Sequence, residues 1–170
     1  MPVHVFVDES KSKGFLIAAA RCPAEEVTVH RKALRGLLLP GQERLHFRHE
    51  TDARRKQILD VVSEFHLLVD VYHAERETLA ARHACLEAIV RDVAGTAARL
   101  VIERDESTYQ RDRRTLHAAC YRFNCPELRW DLLAPKLDPL LWVPDAVAWA
   151  WTRGGNWRRR VTRFTDARNL

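Results

Sequence analysis

The sequence predicts an α/β fold in which a mixed sheet is flanked by helices. Two apolar runs near the start, residues 3–7 and 15–21, are separated by a short polar turn that contains Gly14. A turn of this kind is typical of a β-hairpin. After the hairpin, short apolar runs alternate with longer amphipathic runs, which is the pattern of strands connected by helices. We therefore expect a sheet that is antiparallel at its start and parallel later.

Short apolar runs have the length and composition of strands and place five of them in the chain. These predicted strands comprise residues 4–8, 15–21, 67–72, 99–105 and 128–133. The turn between the first two is too short to hold a helix, which excludes the crossover that a flavodoxin-like sheet needs there. A ribonuclease-H-like fold has early antiparallel strands, later parallel strands and a closing helix. The predicted fold class is therefore a ribonuclease-H-like mixed sheet flanked by helices.

Amphipathic runs between these strands predict the helices. They span residues 24–38, residues from 51 or 52 onward, and residues 76–95, 108–123 and 140–153. The first is closed by Pro40, since proline cannot continue a helix. Thr51 or Asp52 supplies the N-cap of the second helix. Pro144 suits the first turn of the last one.

Length and composition fit one soluble domain over residues 1–170. The chain has 170 residues, of which 46% are hydrophobic and 30% charged, as in ordinary globular proteins. It contains no apolar run of about 20 residues, which argues against a membrane span. Its start lacks the basic region of a secretory signal, and its four cysteines form no CxxC pair. We expect reduced thiols and a cytoplasmic location.

A basic C-terminal segment, residues 153–170, carries much of the net charge of +5. Arginine suits phosphate, so this segment favours RNA or DNA as a partner. The alternative is a solvated C-terminal helix. The tryptophans at helical spacing, Trp142, Trp149 and Trp151, are expected in the core. The predicted nucleic-acid-binding residues are Arg153, Arg158, Arg159 and Arg160, with Trp157 as an exposed ring that stacks on bases.

Acidic residues stand at the ends of two predicted strands. Asp8 and Glu9 follow the first apolar run, and Glu103 and Asp105 end a later one, where the period of two places both on one face. If the two strands are parallel neighbours, these acids meet at the carboxyl edge of the sheet, where α/β proteins place their sites. The alternatives are turn-forming roles for Asp8 and Glu9, and surface ion pairs for the other two.

A further acid, Asp145, lies alone in a nearly all-apolar helical segment. It either makes a simple contact with the positive end of its helix or is a buried carboxylate that needs a partner or a metal. Several carboxylates cannot all ionise at one site without a cation, and hard divalent ions take oxygen ligands. The predicted ligands of Mg²⁺ or Mn²⁺ are Asp8, Glu103, Asp105 and Asp145, with Glu9 assisting at the rim.

Four motifs resemble, in the same order, those of a large bacterial family labelled domain of unknown function 3800. They are VFVDES, RLHFRHE, LVIERDES and PLLWVPDAVAWAWTRG. The resemblance implies a ribonuclease-H-like fold and a divalent-metal acidic site. In it Asp8 is the strand-one acid, Glu103 or Asp105 the later-strand acid, and Asp145 the helix acid. The chain departs from the family at Lys11, where glycine is common, and by having glutamate at position 103, where aspartate is more usual.

Together these features predict a divalent-metal-dependent nuclease, or a related phosphoryl-transfer enzyme, that acts on RNA or DNA. The metal would activate water as the nucleophile. His46 in the second motif would shuttle a proton or contact a phosphate, or else be a hydrogen-bonded structural residue. One alternative is a non-catalytic nucleic-acid-binding module. Another is a protein-interaction domain with structural acids, in which the apolar face of residues 79–93 forms a subunit contact, for example in a homodimer.

Overall fold

A six-stranded sheet forms the centre of the protein, which we describe from a computed structural model of residues 1–170. In chain order the strands are β1 (Val3–Ser10), β2 (Phe15–Pro23), β3 (Leu68–Ala74), β4 (Ala97–Glu103), β5 (Arg129–Leu133) and β6 (Thr165–Arg168). Their order across the sheet is β5-β4-β1-β2-β3-β6. The pairs β1–β2 and β2–β3 are antiparallel, and β1–β4, β4–β5 and β3–β6 are parallel. The predicted mixed α/β sheet is confirmed.

The predicted hairpin is formed by β1 and β2. Gly14 closes its turn with a φ of +85°, a conformation that favours glycine. A Cβ at this position would also lie 2.9 Å from the carbonyl oxygen of Glu75. The glycine therefore allows both the turn and the close approach of the segment after β3.

Six α-helices cover the sheet: α1 (Val27–Arg35), α2 (Asp52–Ser63), α3 (Leu79–Val93), α4 (Tyr109–Arg122), α5 (Trp142–Arg153) and α6 (Gly155–Thr162). The predicted first helix is shorter than expected, because residues 24–26 form a 3-10 turn. Thr51 is the N-cap of α2, and its hydroxyl accepts a hydrogen bond from the Arg54 N–H at 3.2 Å. None of the helices is long and apolar enough to span a membrane.

The two faces of the sheet carry separate hydrophobic cores. Phe6 of β1 points into one core, with α1, α2, α5 and α6, and Val5 and Val7 point into the other, with α3 and α4. This is the alternation that a buried strand requires. The apolar face of residues 79–93 belongs to the second core. Its predicted use as a subunit contact is therefore wrong, because the sheet and α4 already cover it.

The basic C-terminal segment is not a simple tail, because it contributes α6 and the edge strand β6. Asp70 of β3 is 2% exposed and is held by two arginines. Arg21 of β2 donates to it through Nε at 2.6 Å, and Arg168 of β6 donates through Nε at 2.8 Å. One buried carboxylate thus ties the last strand to the hairpin.

Asp70→Asn is expected to lower the free energy of unfolding by about 2 kcal/mol, since it removes the charged acceptor that binds the partly exposed Arg21 and the exposed Arg168. Arg168→Ala should cost only about 1 kcal/mol, because that side chain is partly solvated. Urea denaturation measures both. Asp166→Asn, at an exposed position of the same edge strand, is the control and should change stability by less than about 0.5 kcal/mol. Equal losses for Asp70→Asn and Asp166→Asn would contradict this role of Asp70.

Candidate active site at the carboxyl edge of the sheet

Parallel pairing of β1 and β4 brings two acids together. Val7 pairs with Ile102, so the next residues of the two strands, Asp8 and Glu103, lie side by side at the carboxyl ends. Asp8 lies two residues after Phe6, and Glu103 lies two residues after Val101. Residues two apart on a strand share a face, and Phe6 and Val101 belong to the core that α5 covers, so both acids point to that face. Helix α5 packs on β1 and β2 and places its own acid beside them. The acid cluster, as we call it, consists of Asp8, Glu103 and Asp145.

Burial and like charge dominate the electrostatics of the acid cluster. Asp8 is 8% exposed, and burial raises its pKa well above the usual value, with the neighbouring charges of Asp145 and Glu103 raising it further. Burial also raises the pKa of Asp145, to about 6. The Phe47 N–H, which donates to Asp145 Oδ2 at 3.1 Å, and the Arg44 charge both oppose this rise. Asp145 is therefore more than a contact of its own helix end.

Arg44 is the cation nearest to the acid cluster, and the sequence analysis did not find it. Its Nη1 lies 3.9 Å from Glu103 Oε1, and its Nη2 lies 4.0 Å from Asp145 Oδ2. It comes from the loop between α1 and α2, which has no periodic pattern. One guanidinium at these distances offsets only part of the charge of three carboxylates.

The donor chemistry of the acid cluster fits a hard divalent cation. Its oxygens are the ligands that Mg²⁺ and Mn²⁺ take, and Glu103 Oε2 is buried without a hydrogen-bond partner. However, no three His, Cys, Asp or Glu side chains are arranged as a ready-made metal site. A bound ion would offset the repulsion among these carboxylates.

Asp105 does not belong to the acid cluster, so its predicted place beside Glu103 is wrong. Strand β4 ends at Glu103, and beyond that point the period of two no longer applies. Asp105 instead accepts hydrogen bonds from the Ser107 hydroxyl at 2.6 Å and the Ser107 N–H at 2.9 Å. The hydroxyl bond is the main reason that its pKa lies below the usual value. Lys11 lies 3.5 Å from it.

Glu9 lies on the opposite face from the acid cluster and meets the buried Arg82 of α3. Arg82 also donates two hydrogen bonds of 2.8 Å to Asp112 of α4, and Lys11 lies 3.2 Å from Glu9. Sequence reasoning missed this network, although a signal was present. Arg82 stands on the apolar stripe of α3, and a buried charge on such a stripe predicts a buried partner.

These groups surround a cleft of about 380 Å³ at the carboxyl edge of the sheet. His46 is half-buried on its wall, where burial and the Arg44 charge lower the pKa of its imidazole. The neutral ring has one nitrogen free to accept a proton. Besides the acid cluster, the polar and charged residues that line the cleft are Glu9, Lys11, Arg44, His46, Arg82, Arg104, Asp105 and Glu106.

The arginines of α6 lie farther along the surface. Arg160 forms an ion pair with Asp60 at 3.3 Å, and Arg158 stacks on Trp151 at 4.1 Å. Arg159 has neither an acidic nor an aromatic partner and donates only to the Asn156 side chain of its own helix. Trp157 is half-buried and not fully exposed as predicted, while its stacking on bases stays a prediction. The reason for its partial burial is its edge-on contact with Trp149 at 5.3 Å.

Helix α5 joins the acid cluster to this basic region. Asp145, Trp149 and Arg153 are spaced four residues apart and share one helix face. Arg153 lies 5.9 Å from the centre of the Trp149 ring. Of the other tryptophans predicted in the core, Trp142 is buried and Trp151 is half-buried.

The fold is similar to that of a solved structure. The match is to a chain in the structure of the PCNA:RNase HII complex from Archaeoglobus fulgidus, with a TM-score of 0.60 and 13% sequence identity. It covers 94% of this chain and 74% of that chain. The fold is ribonuclease-H-like. No family model and no curated protein match the sequence, and the resemblance to domain of unknown function 3800 stays a prediction that rests on its motifs.

Asp145→Asn is expected to stabilise the protein above pH 6 in the presence of chelator. Burial raises the pKa of Asp145 from its usual 3.8 to about 6, so the folded state binds this proton more tightly than the unfolded state. Wild-type stability then falls as pH rises through this window. The variant lacks that loss and keeps an acceptor for the Phe47 N–H. Its gain should be on the order of 2 kcal/mol above pH 6 and shrink toward pH 4.

Urea denaturation of both proteins across this pH range measures the difference. Glu106→Gln removes an exposed carboxylate from the same cleft and is the control, with no pH-dependent gain. If Asp145→Asn is less stable than wild type at every pH, the ionised carboxylate is stabilised by its surroundings and the repulsion argument fails.

Proposed function

We propose that this protein is a divalent-metal-dependent nuclease, or a related phosphoryl-transfer enzyme, acting on RNA or DNA. One observation carries the proposal: Asp8, Glu103 and Asp145 converge from two strands and a helix on one cleft, with a single arginine near them. Asp8 is buried and Glu103 and Asp145 are partly buried, and carboxylates brought together away from water are costly for stability alone. The ribonuclease-H-like fold and the name of the matched structure, an RNase HII complex, support the same class of chemistry.

In the proposed mechanism Asp8, Glu103 and Asp145 would hold Mg²⁺ or Mn²⁺. Such an ion, when bound, would supply an activated water and positive charge to offset the charge that develops on the phosphate. The Phe47 N–H fixes the carboxylate of Asp145, and Arg44 stands beside the acids where it can pair with a phosphate oxygen.

Two further groups complete the proposed site. Burial lowers the pKa of His46, which favours the neutral ring, and this ring is placed to take a proton from water or return one to the leaving oxygen. Glu9 is held by Arg82 and Lys11 at the rim, where it assists without joining the acid cluster. Asp105 is bound to Ser107 and Lys11, and we assign it to keeping Lys11 at the mouth of the cleft.

The second candidate function is a non-catalytic nucleic-acid-binding module of the same fold. Arg44 favours it, because a guanidinium within about 4 Å of Glu103 and Asp145 is an internal counter-ion that a protein without metal would keep. The nuclease would cleave nucleic acid, whereas the binding module would bind it without cleavage.

Asp8→Asn and Asp145→Asn should each reduce metal-dependent cleavage by at least roughly 100-fold, the scale on which a catalytic electrostatic or acid–base group acts. The assay uses labelled single-stranded, double-stranded and hybrid nucleic acids with Mg²⁺, Mn²⁺ or chelator. Glu106→Gln is the matched control and should keep wild-type activity, since this exposed side chain pairs only with Arg104.

Thermal melts provide a readout that does not depend on turnover. Millimolar Mn²⁺ should raise the melting temperature of the wild type, because the ion binds the folded state alone, and should raise that of Asp145→Asn less. A wild-type protein that binds nucleic acid but cleaves none of the substrates, with no response to either metal, would favour the non-catalytic function. Full activity of Asp8→Asn would exclude the proposed site.

The α6 arginines are proposed to contact the nucleic-acid backbone. Since Arg160 is engaged by Asp60, the sharper test is the double variant Arg158→Ala with Arg159→Ala. It should weaken binding and flatten the slope of log affinity against log salt by up to about two units. Fluorescence anisotropy over a salt series measures this. The double variant Lys32→Ala with Arg35→Ala, which removes two exposed charges from α1, is the control, and equal losses in both would assign the α6 arginines to a solvated surface.

A further inference from the structure

We infer that a groove between α3 and α4 binds the phosphate backbone of a nucleic acid and guides it to the acid cluster. The inference rests on the proposed function and extends it to a face of the sheet opposite α6. The groove has a volume of about 340 Å³. The polar side chains that matter to the argument are Arg82, His83, Thr108, Arg111, Arg114 and Thr115.

Two arginines at the rim of this α3–α4 groove have no partner in the protein. Arg111 and Arg114 are exposed, and neither takes part in any of the ion pairs or side-chain hydrogen bonds of the structure. They are three residues apart on α4 and so lie on one face of the helix. Their state differs from that of Arg158 and Arg160 of α6, which stack on Trp151 and pair with Asp60. The groove therefore offers two free guanidinium groups.

The inner wall of the groove adds shape and polarity but little net charge. The charge of Arg82 is taken up by Asp112 and Glu9. His83 Nδ1 and the Thr115 hydroxyl lie 3.0 Å apart and satisfy each other. The free positive charge of the groove thus comes from Arg111 and Arg114, whose planar forks match phosphate oxygens.

The groove is connected to the candidate active site through a shared residue. Arg82 lines both the α3–α4 groove and the cleft that holds the acid cluster. Arg82 is buried and forms part of the wall of both, so the groove and the cleft are neighbours and a backbone lying against Arg111 and Arg114 would pass beside the cleft. This proximity to a site proposed to act on nucleic acid favours a polyphosphate backbone as the occupant. An acidic protein surface would gain the same contacts with the arginines but would bring further carboxylates to the acid cluster.

Contacts on both faces of the sheet imply an occupant that straddles its carboxyl edge. Helices α3 and α4 lie on one face, and α5 and α6 lie on the other. A nucleic-acid duplex has two backbones and is wide enough to use both sides at once. We therefore choose a duplex as the probe. An RNA·DNA hybrid is used because it presents one RNA backbone and one DNA backbone, and the proposed function covers both.

The test measures binding of a fluorescein-labelled hybrid duplex by fluorescence anisotropy in chelator, so that cleavage plays no part. The double variant Arg111→Ala with Arg114→Ala should bind several-fold more weakly and flatten the salt slope by up to about two units. Lys32→Ala with Arg35→Ala removes the same charge from α1 and should leave the slope unchanged. Arg111→Lys with Arg114→Lys should keep most of the slope, since lysine also neutralises phosphate. Circular dichroism melts confirm that each variant is folded.

The outcomes separate this inference from the proposed function. If wild type binds and the Arg111 and Arg114 variant has an unchanged slope, or loses no more than the α1 control, the groove is overturned while the nuclease proposal stands. If the variant loses its slope and wild type shows no metal-dependent cleavage, the groove is supported and only catalysis fails. A wild-type protein that does not bind the hybrid at all overturns the groove as a duplex site.

Discussion

Repulsion among Asp8, Glu103 and Asp145 is the constraint around which the carboxyl edge of the sheet is built. A carboxylate that loses water must be paired, protonated or offset by a cation. The protein uses a part of each solution. The pKa of Asp8 and of Asp145 is raised, the Phe47 N–H caps one oxygen, and Arg44 approaches without closing to hydrogen-bond distance. Part of the negative charge of the acid cluster therefore remains uncompensated, and a bound cation would offset it.

The same edge treats its other acids in the opposite way. Glu9 and Asp105 are held by Arg82, Lys11 and Ser107, so their charges are already satisfied. The strand geometry explains this division, because neighbouring residues of β1 point to opposite faces. Asp8 points to the face covered by α5, whose surface there is largely apolar. Glu9 points to the face covered by α3, where it forms an ion pair with Arg82. Asp8 and Glu9 are consecutive residues of β1, yet only Glu9 has an ion-pair partner.

Patterns along the chain predict the hairpin, the mixed sheet and the acids at its edge, since alternation and turn chemistry are local signals. These patterns place the end of β4 at residue 105, whereas the strand ends at Glu103. The reason is that the change from apolar to acidic residues does not show which residue makes the last hydrogen bond of the strand. Strand β6 has no apolar run at all, and its position depends on Arg168 reaching Asp70 across the sheet. Arg44 is equally hidden, since a charge in a loop gives no sign of which distant acid it meets. Arg82 was predictable from its place on an apolar helix stripe.

The order of the acids along the chain has a consequence for biosynthesis. Asp8 is translated before Glu103, and Glu103 before Asp145. Strand β3 is likewise translated before β6, its partner in the sheet. Since both strands of the hairpin are translated well before α5, the acid cluster is complete only after α5 has been made. Until then the nascent chain lacks the third carboxylate, so the full repulsion at the carboxyl edge arises late in folding.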